Sequence, residues 1–130
     1  MNEGAKPRTL PQDIFGEQSS TGWCYFFEKA DLARQYEQWD EVISLWEGAK
    51  AQKEQAGNGF EYVPFIEGFA HRADWTMVRS LTKAANKTTQ GLQPTLCESL
   101  DRFMLQTEAS PERDRTIVEL KDYLVCKNYQ

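Results

Sequence analysis

The chain is poor in the residues from which most metal and nucleophilic sites are built. Its 130 residues include one histidine, His71, and three cysteines. A lone histidine removes His-pair metal sites and leaves a histidine-based triad without support. Cys24, Cys97 and Cys126 are too scattered for a CxxC zinc or redox motif, and too few for a disulfide framework. They read as small, semi-buried hydrophobes. A Cys97–Cys126 bridge between the last two helices is the alternative in an oxidising compartment, and it would leave Cys24 unpaired. No glycine-rich phosphate loop is present, since Gly57-Asn58-Gly59 reads as a helix-ending turn. No apolar run approaches the roughly 18 residues of a membrane span, so direct membrane insertion is not expected. Basic residues are in deficit, with 15 Lys plus Arg against 20 Asp plus Glu and a net charge of −5. That balance argues against a nucleic-acid or anionic-membrane surface. A signal peptide is not visible after Met1–Lys6, which leaves two origins: a cytosolic protein, or a soluble piece of a longer one.

What the chain does contain is an internal copy. Trp39, Val42, Ser44, Leu45 and Ala49 recur as Trp75, Val78, Ser80, Leu81 and Ala85, at a constant offset of 36 residues. A period of about 20–50 residues marks stacked repeat architectures. Such units bury their apolar faces on each other and leave an extended concave surface.

Helical spacing accounts for most of the chain. Residues 1–18 read as an extended leader, punctuated by Gly4, Pro7, Pro11 and Gly16. Ile14 and Phe15 are placed to clip onto the body, and Ser19, Ser20 and Thr21 offer a helix cap. Residues 19–130 are expected to form one helical domain. Trp23, Phe26, Phe27, Ala30 and Ala33 make the apolar face of a first helix ending near residue 37. A second helix starts near Asp40, read as its cap, with Trp39, Val42, Ile43, Trp46 and Ala49 on one face. Tyr62, Ile66, Phe69 and Ala70 line a third helix, which should start near Pro64 because proline is tolerated only in the first turn. Asp74 caps a fourth helix carrying Trp75, Val78, Leu81 and Ala85. Asn86 to Gln93 reads as a polar linker. Pro94 opens a fifth helix with Leu96, Leu100, Phe103 and Met104, and Ser110-Pro111-Glu112 opens a sixth with Ile117, Leu120 and Leu124.

These residues resemble the tetratricopeptide repeat, in which helix A carries a small residue and helix B a small residue, an aromatic and an alanine. Ala30 falls at the helix A position, and Val42, Trp46 and Ala49 fall at those of helix B. The second copy offers Ile66, then Val78, Thr82 and Ala85. Valine replaces alanine twice, Thr82 replaces the aromatic, and the closing proline is missing. The resemblance covers roughly residues 22–88. It implies an all-α fold of about three antiparallel helix pairs in a short right-handed superhelix. Ala30, Trp39, Val42, Trp46, Ala49, Trp75, Val78, Leu81 and Ala85 would form its core. Carried over by register, the concave face would take Phe27, Asp31, Arg34 and Gln35, with Cys24 beside them, from the first copy. The second copy would contribute Glu67 and His71, with Val63 and Ala70. Arg34 is expected either to meet a carboxylate of a bound peptide or to pair with Asp31 or Gln38. His71 otherwise reads as a surface or turn histidine. Trp23, at the open end, is the tryptophan expected to be most exposed.

Longer strings, Trp23 to Gln35, Pro64 to Gly68 and Ser110 to Arg113, are similar to soluble C-terminal regions of bacterial multi-pass membrane proteins. Those proteins resemble glycosyltransferases that use lipid-linked sugars. This second resemblance implies an accessory domain tethered to a membrane-protein parent, on either side of the membrane. The expected function is a non-catalytic interaction or scaffold module for a protein or peptide, without cofactor, metal or nucleic acid. A free cytosolic adaptor is the competing reading, and a small helical enzyme the third. Asn86-Lys87-Thr88 fits a glycosylation sequon, which matters only in a secreted protein.

Overall fold

The computed structural model describes residues 22–127. The leader expected over 1–18, the Ile14–Phe15 clip and the Ser19–Thr21 cap lie outside the described residues. Six α-helices and one short 3-10 turn follow in order, and no strand occurs among the described residues. They are α1 (Trp23–Gln35), α2 (Trp39–Ala51), the 3-10 turn (Gly59–Tyr62), α3 (Val63–His71), α4 (Trp75–Thr88), α5 (Gln93–Gln106) and α6 (Pro111–Leu124). The fold is all-α.

Four of the six helix starts, those of α3 to α6, have a local cause. Asp74 accepts a hydrogen bond from the Met77 N–H at 3.2 Å, and Ser110 accepts one from the Arg113 N–H at 3.0 Å. Pro64, Pro94 and Pro111 all lie in first turns, where no intrahelical donor is lost. Asp40 does not cap α2. The helix begins one residue earlier, at Trp39, with Gln38 at the cap position and no side-chain bond. Asp40 instead faces α3 and pairs with Arg72 at 3.0 Å.

The turns after α1 and α3 share one geometry at the 36-residue offset. Glu37 and Ala73 take left-handed φ of 58° and 62°. The Gln38 N–H reaches the Ala33 carbonyl at 2.9 Å, and the Asp74 N–H reaches the Phe69 carbonyl at 2.9 Å. This is a Schellman closure, and it consumes helix carbonyls that would otherwise lack donors. Lys53 after α2 and Val125 after α6 close their helices in the same way.

One core runs through the molecule. α1 packs on α2, α2 on α3, α3 on α4, and α5 on α6, while α3 also touches α1 and α5. Every residue of α3 from Pro64 to Ala70 is buried. Two glycines permit the closest backbone approaches. A Cβ on Gly68 would stand 2.6 Å from Val42 Cγ1, so α2 crosses α3 at that point without room for a side chain. A Cβ on Gly59 would stand 2.5 Å from the Ala85 carbonyl oxygen and 2.7 Å from Leu92 Cδ2. Gly59 is therefore more than the end of a turn, because it seats the 3-10 segment directly on α4.

Several expectations need correction. The segment read as a polar linker over 86–93 begins as helix, since α4 continues to Thr88. It also contributes Leu92, which is fully buried against Gly59. Trp23 is half-buried: its ring lies 5.4 Å from Phe65 and 6.4 Å from Trp46, and its Nε1 donates to Glu61 at 2.8 Å. Trp39 is only partly buried and lies flat on the His71 ring at 4.0 Å. The other core positions named from sequence, Ala30, Val42, Trp46, Ala49, Trp75, Val78, Leu81 and Ala85, are buried. Cys97 and Cys126 are joined in a disulfide, and Cys24 is free and exposed.

Candidate functional site

A cavity of about 230 Å³ opens where α1, α3 and α5 meet. Phe27, Asp31 and Arg34 line it from α1; Val63, Pro64 and Glu67 from α3; Thr95 and Arg102 from α5; Phe60 closes it from the 3-10 turn. Each set follows from helical spacing. Phe27, Asp31 and Arg34 stand four and three residues apart, and Val63 and Glu67 stand four apart, so each set shares a face. Pairs that lie side by side in space thus present one strip of the surface apiece.

The walls differ in character. Phe27, Phe60, Val63 and Pro64 are apolar, and Phe60 is half exposed at the rim. Four charged groups alternate with them. Arg34 donates from Nε and Nη2 to the same oxygen of Asp31, at 3.0 and 2.9 Å. Of the two outcomes expected for Arg34, the pairing with Asp31 is the one present. Gln35 donates to the other Asp31 oxygen at 3.4 Å.

Glu67 is the unusual member. It sits in the most buried helix and is 6% exposed. Its Oε1 has no hydrogen-bond donor among the described residues. The nearest cation is Arg102, whose Nη2 stands 3.7 Å away and donates to Ser99 Oγ at 3.3 Å. A buried carboxylate oxygen without a hydrogen-bond donor gives up hydration worth about 1–3 kcal/mol, offset here by the ion-pair attraction of Arg102 at 3.7 Å.

The structure brings four of the six groove residues named from sequence to this cavity: Phe27, Asp31, Arg34 and Glu67. Gln35 is exposed beside Asp31. His71 lies outside the cavity, stacked on Trp39 with its Nε2 buried and without a hydrogen-bond partner among the described residues. Gln106 approaches that ring without meeting hydrogen-bond geometry. Burial pushes the imidazole below its ordinary 6.5, and the carboxylates of Glu67 and Glu37 partly oppose this. Val63 lines the cavity, Cys24 is exposed elsewhere, and Ala70 is buried in the core and unavailable to a ligand. Sequence reading missed Phe60, Pro64, Thr95 and Arg102. Arg102 stands 35 residues after Glu67, close to the repeat offset, but the third pair carries no copied string from which to fix its register.

No metal-holding group of three or more His, Cys, Asp or Glu side chains occurs among the described residues. No described helix is long and apolar enough to cross a membrane. Compared with protein-family models, curated proteins and solved structures, the chain matches none.

Proposed function

We propose that the chain is a protein-interaction module built like a tetratricopeptide array. In this reading residues 19–130 form one domain of three antiparallel helix pairs in a short right-handed superhelix, behind a leader of 1–18. The first helix of each pair lines the concave face, and that face holds a peptide or loop of a partner. The observation that carries the reading is the cavity itself: α1, α3 and α5, the first helices of the three expected pairs, all contribute side chains to it. The three-residue connections after α1 and α3, with their matching left-handed closures, support a repeated helical hairpin.

The favoured setting is an accessory domain of a larger bacterial membrane protein, with no catalytic role of its own. The Cys97–Cys126 disulfide supports an extracytoplasmic location over the cytosolic-adaptor alternative, because disulfides persist in oxidising compartments. The test is a peptide selected against the folded chain from a random display library, then titrated against isotope-labelled protein. Amide shifts should concentrate at residues 27–34, 63–67 and 95–102. Shifts confined to other surfaces, or failure to select any binder, would discard the groove.

A further inference from the structure

The cavity has a chemical preference of its own, and its argument rests on the interaction reading above. The starting point is an unfilled acceptor in the cavity wall. Glu67 Oε1 is buried, lines the cavity and accepts no hydrogen bond among the described residues. Arg102 does not meet that need, since its Nη2 is 3.7 Å away and engaged with Ser99. Across the cavity, Asp31 has spare capacity as well. Arg34 uses only one of its oxygens, and the other receives Gln35 alone, at the long distance of 3.4 Å. Asp31 thus keeps acceptor capacity beyond its three hydrogen bonds, and Glu67 Oε1 receives none, whereas the guanidiniums of Arg34 and Arg102 already donate to Asp31 and Ser99. A ligand that brings N–H donors to Glu67 fits this imbalance.

The walls specify what carries the donors. Phe27, Phe60, Val63 and Pro64 give the cavity that holds the carboxylates an apolar lining. Lysine and arginine match it, because their methylene stems cover apolar surface while the charged head seeks an acceptor. Aromatic rings beside such a head add cation–π attraction. Size agrees: about 230 Å³ falls below the roughly 300–1,000 Å³ of pockets that enclose a whole small molecule. It suits one long side chain inserted from a polypeptide. The chain's net charge of −5 favours approach of a basic partner.

We infer that the cavity between α1, α3 and α5 receives a single lysine or arginine side chain of a partner polypeptide, with Glu67 as its principal acceptor and Asp31 as the second. The ligand's aliphatic stem lies between Phe27 and Phe60. Its head reaches Glu67 Oε1, which is closed to solvent in the free chain, as the 36% exposed Arg102 side chain turns aside, and it supplies the donor that oxygen lacks.

The experiment uses three blocked pentapeptides that differ only in the central residue: arginine, glutamine or glutamate between glycines. Each is titrated into the isotope-labelled full chain, and Kd is read from amide shifts. The arginine peptide should bind at least tenfold more tightly than the glutamine peptide, with its largest shifts at Glu67 and its neighbours. Glu67→Gln should lose at least that factor while retaining its amide spectrum and melting temperature. Asp31→Asn, at the more exposed rim, should lose a smaller factor and guards against misfolding of the first variant. Equal binding of all three peptides in the groove, or tighter binding of the glutamate peptide, would overturn the basic-side-chain assignment and leave the groove reading intact. Undiminished arginine binding by both variants would do the same. If none of the three shifts the groove while a library-selected peptide does, the basic preference is again refuted alone. If no peptide of either kind engages the groove, both readings fall.

Discussion

Removing the Cys97–Cys126 bond tests how much of the fold rests on a covalent tie. The two cysteines are 29 positions apart. In the chain-entropy description, closing a loop of that length withdraws about 12 cal/mol/K from the unfolded chain, or about 3.6 kcal/mol at 25 °C. The folded state barely notices the loss, because its last two helices are tied elsewhere. Lys121 reaches Asp101 at 2.6 Å, and the buried Arg113 donates from Nη1 to the carbonyls of Met104 and Thr107 at 3.2 and 2.8 Å. The penalty therefore falls mainly on the unfolded side. For a folded body of roughly 100 residues, with about 2.1 cal/mol/K of unfolding entropy per residue, it corresponds to a fall of about 15–20 °C in Tm.

The assay is thermal and urea unfolding of the natural chain, with and without a phosphine reductant, beside the double variant Cys97→Ala, Cys126→Ala. The reduced chain and the variant should melt together, well below the oxidised chain. Their urea m-value should be larger, because an unlinked chain exposes more surface on unfolding. The variant should ignore the reductant. Oxidised and reduced chains melting within about 2 °C of each other would refute the reasoning, since the entropy of a loop this long does not vanish.

Replacing Ala49 with Phe should cost about 3 kcal/mol or more, because the residue is wholly buried where α2 packs and its new ring has no space; an unchanged Tm would refute the repeat register. Acid should weaken the fold through His71. Its folded-state pKa lies below 6.5, so the unfolded chain binds the extra proton and stability falls as pH drops through about 6.5 toward the folded value. His71→Gln should flatten the pH dependence of Tm between about pH 7.5 and 5, and an identical slope in both proteins would refute the assignment.

The helical framework was legible because its signals are local. Apolar spacing, first-turn prolines and the caps at Asp74 and Ser110 each act within one or two turns, and the helices they imply are present. The misreadings share a different origin. Leu92 sits in a polar stretch, and only its long-range contact with Gly59 makes it core. Asp40 has the chemistry of a cap but finds Arg72 across the helix interface instead. In each case a partner distant in sequence outcompeted the local rule. The cavity was half legible for the same reason. The copied strings carry a register through α1 and α3, and they stop before α5 supplies Thr95 and Arg102.

Glu67 is the position where local and global requirements disagree most. Pro64, Phe65, Ile66, Gly68, Phe69 and Ala70 surround it in one helix, and all are buried. Gly68, its immediate neighbour, leaves no space for even a Cβ, so α3 lies in close contact with α2 beside the carboxylate. An apolar residue or a glutamine would meet the demands of that helix better than a carboxylate with an empty acceptor. Folded sequences tend to satisfy every local rule except where function requires otherwise. The other buried charges obey that tendency: Arg113 fills two carbonyls, and Lys121 holds Asp101. Glu67 is the one buried carboxylate among the described residues, and it lines a cavity with one oxygen unfilled. The site is therefore marked by an acceptor that the described residues leave unfilled, and in the proposed reading a partner's donor completes it.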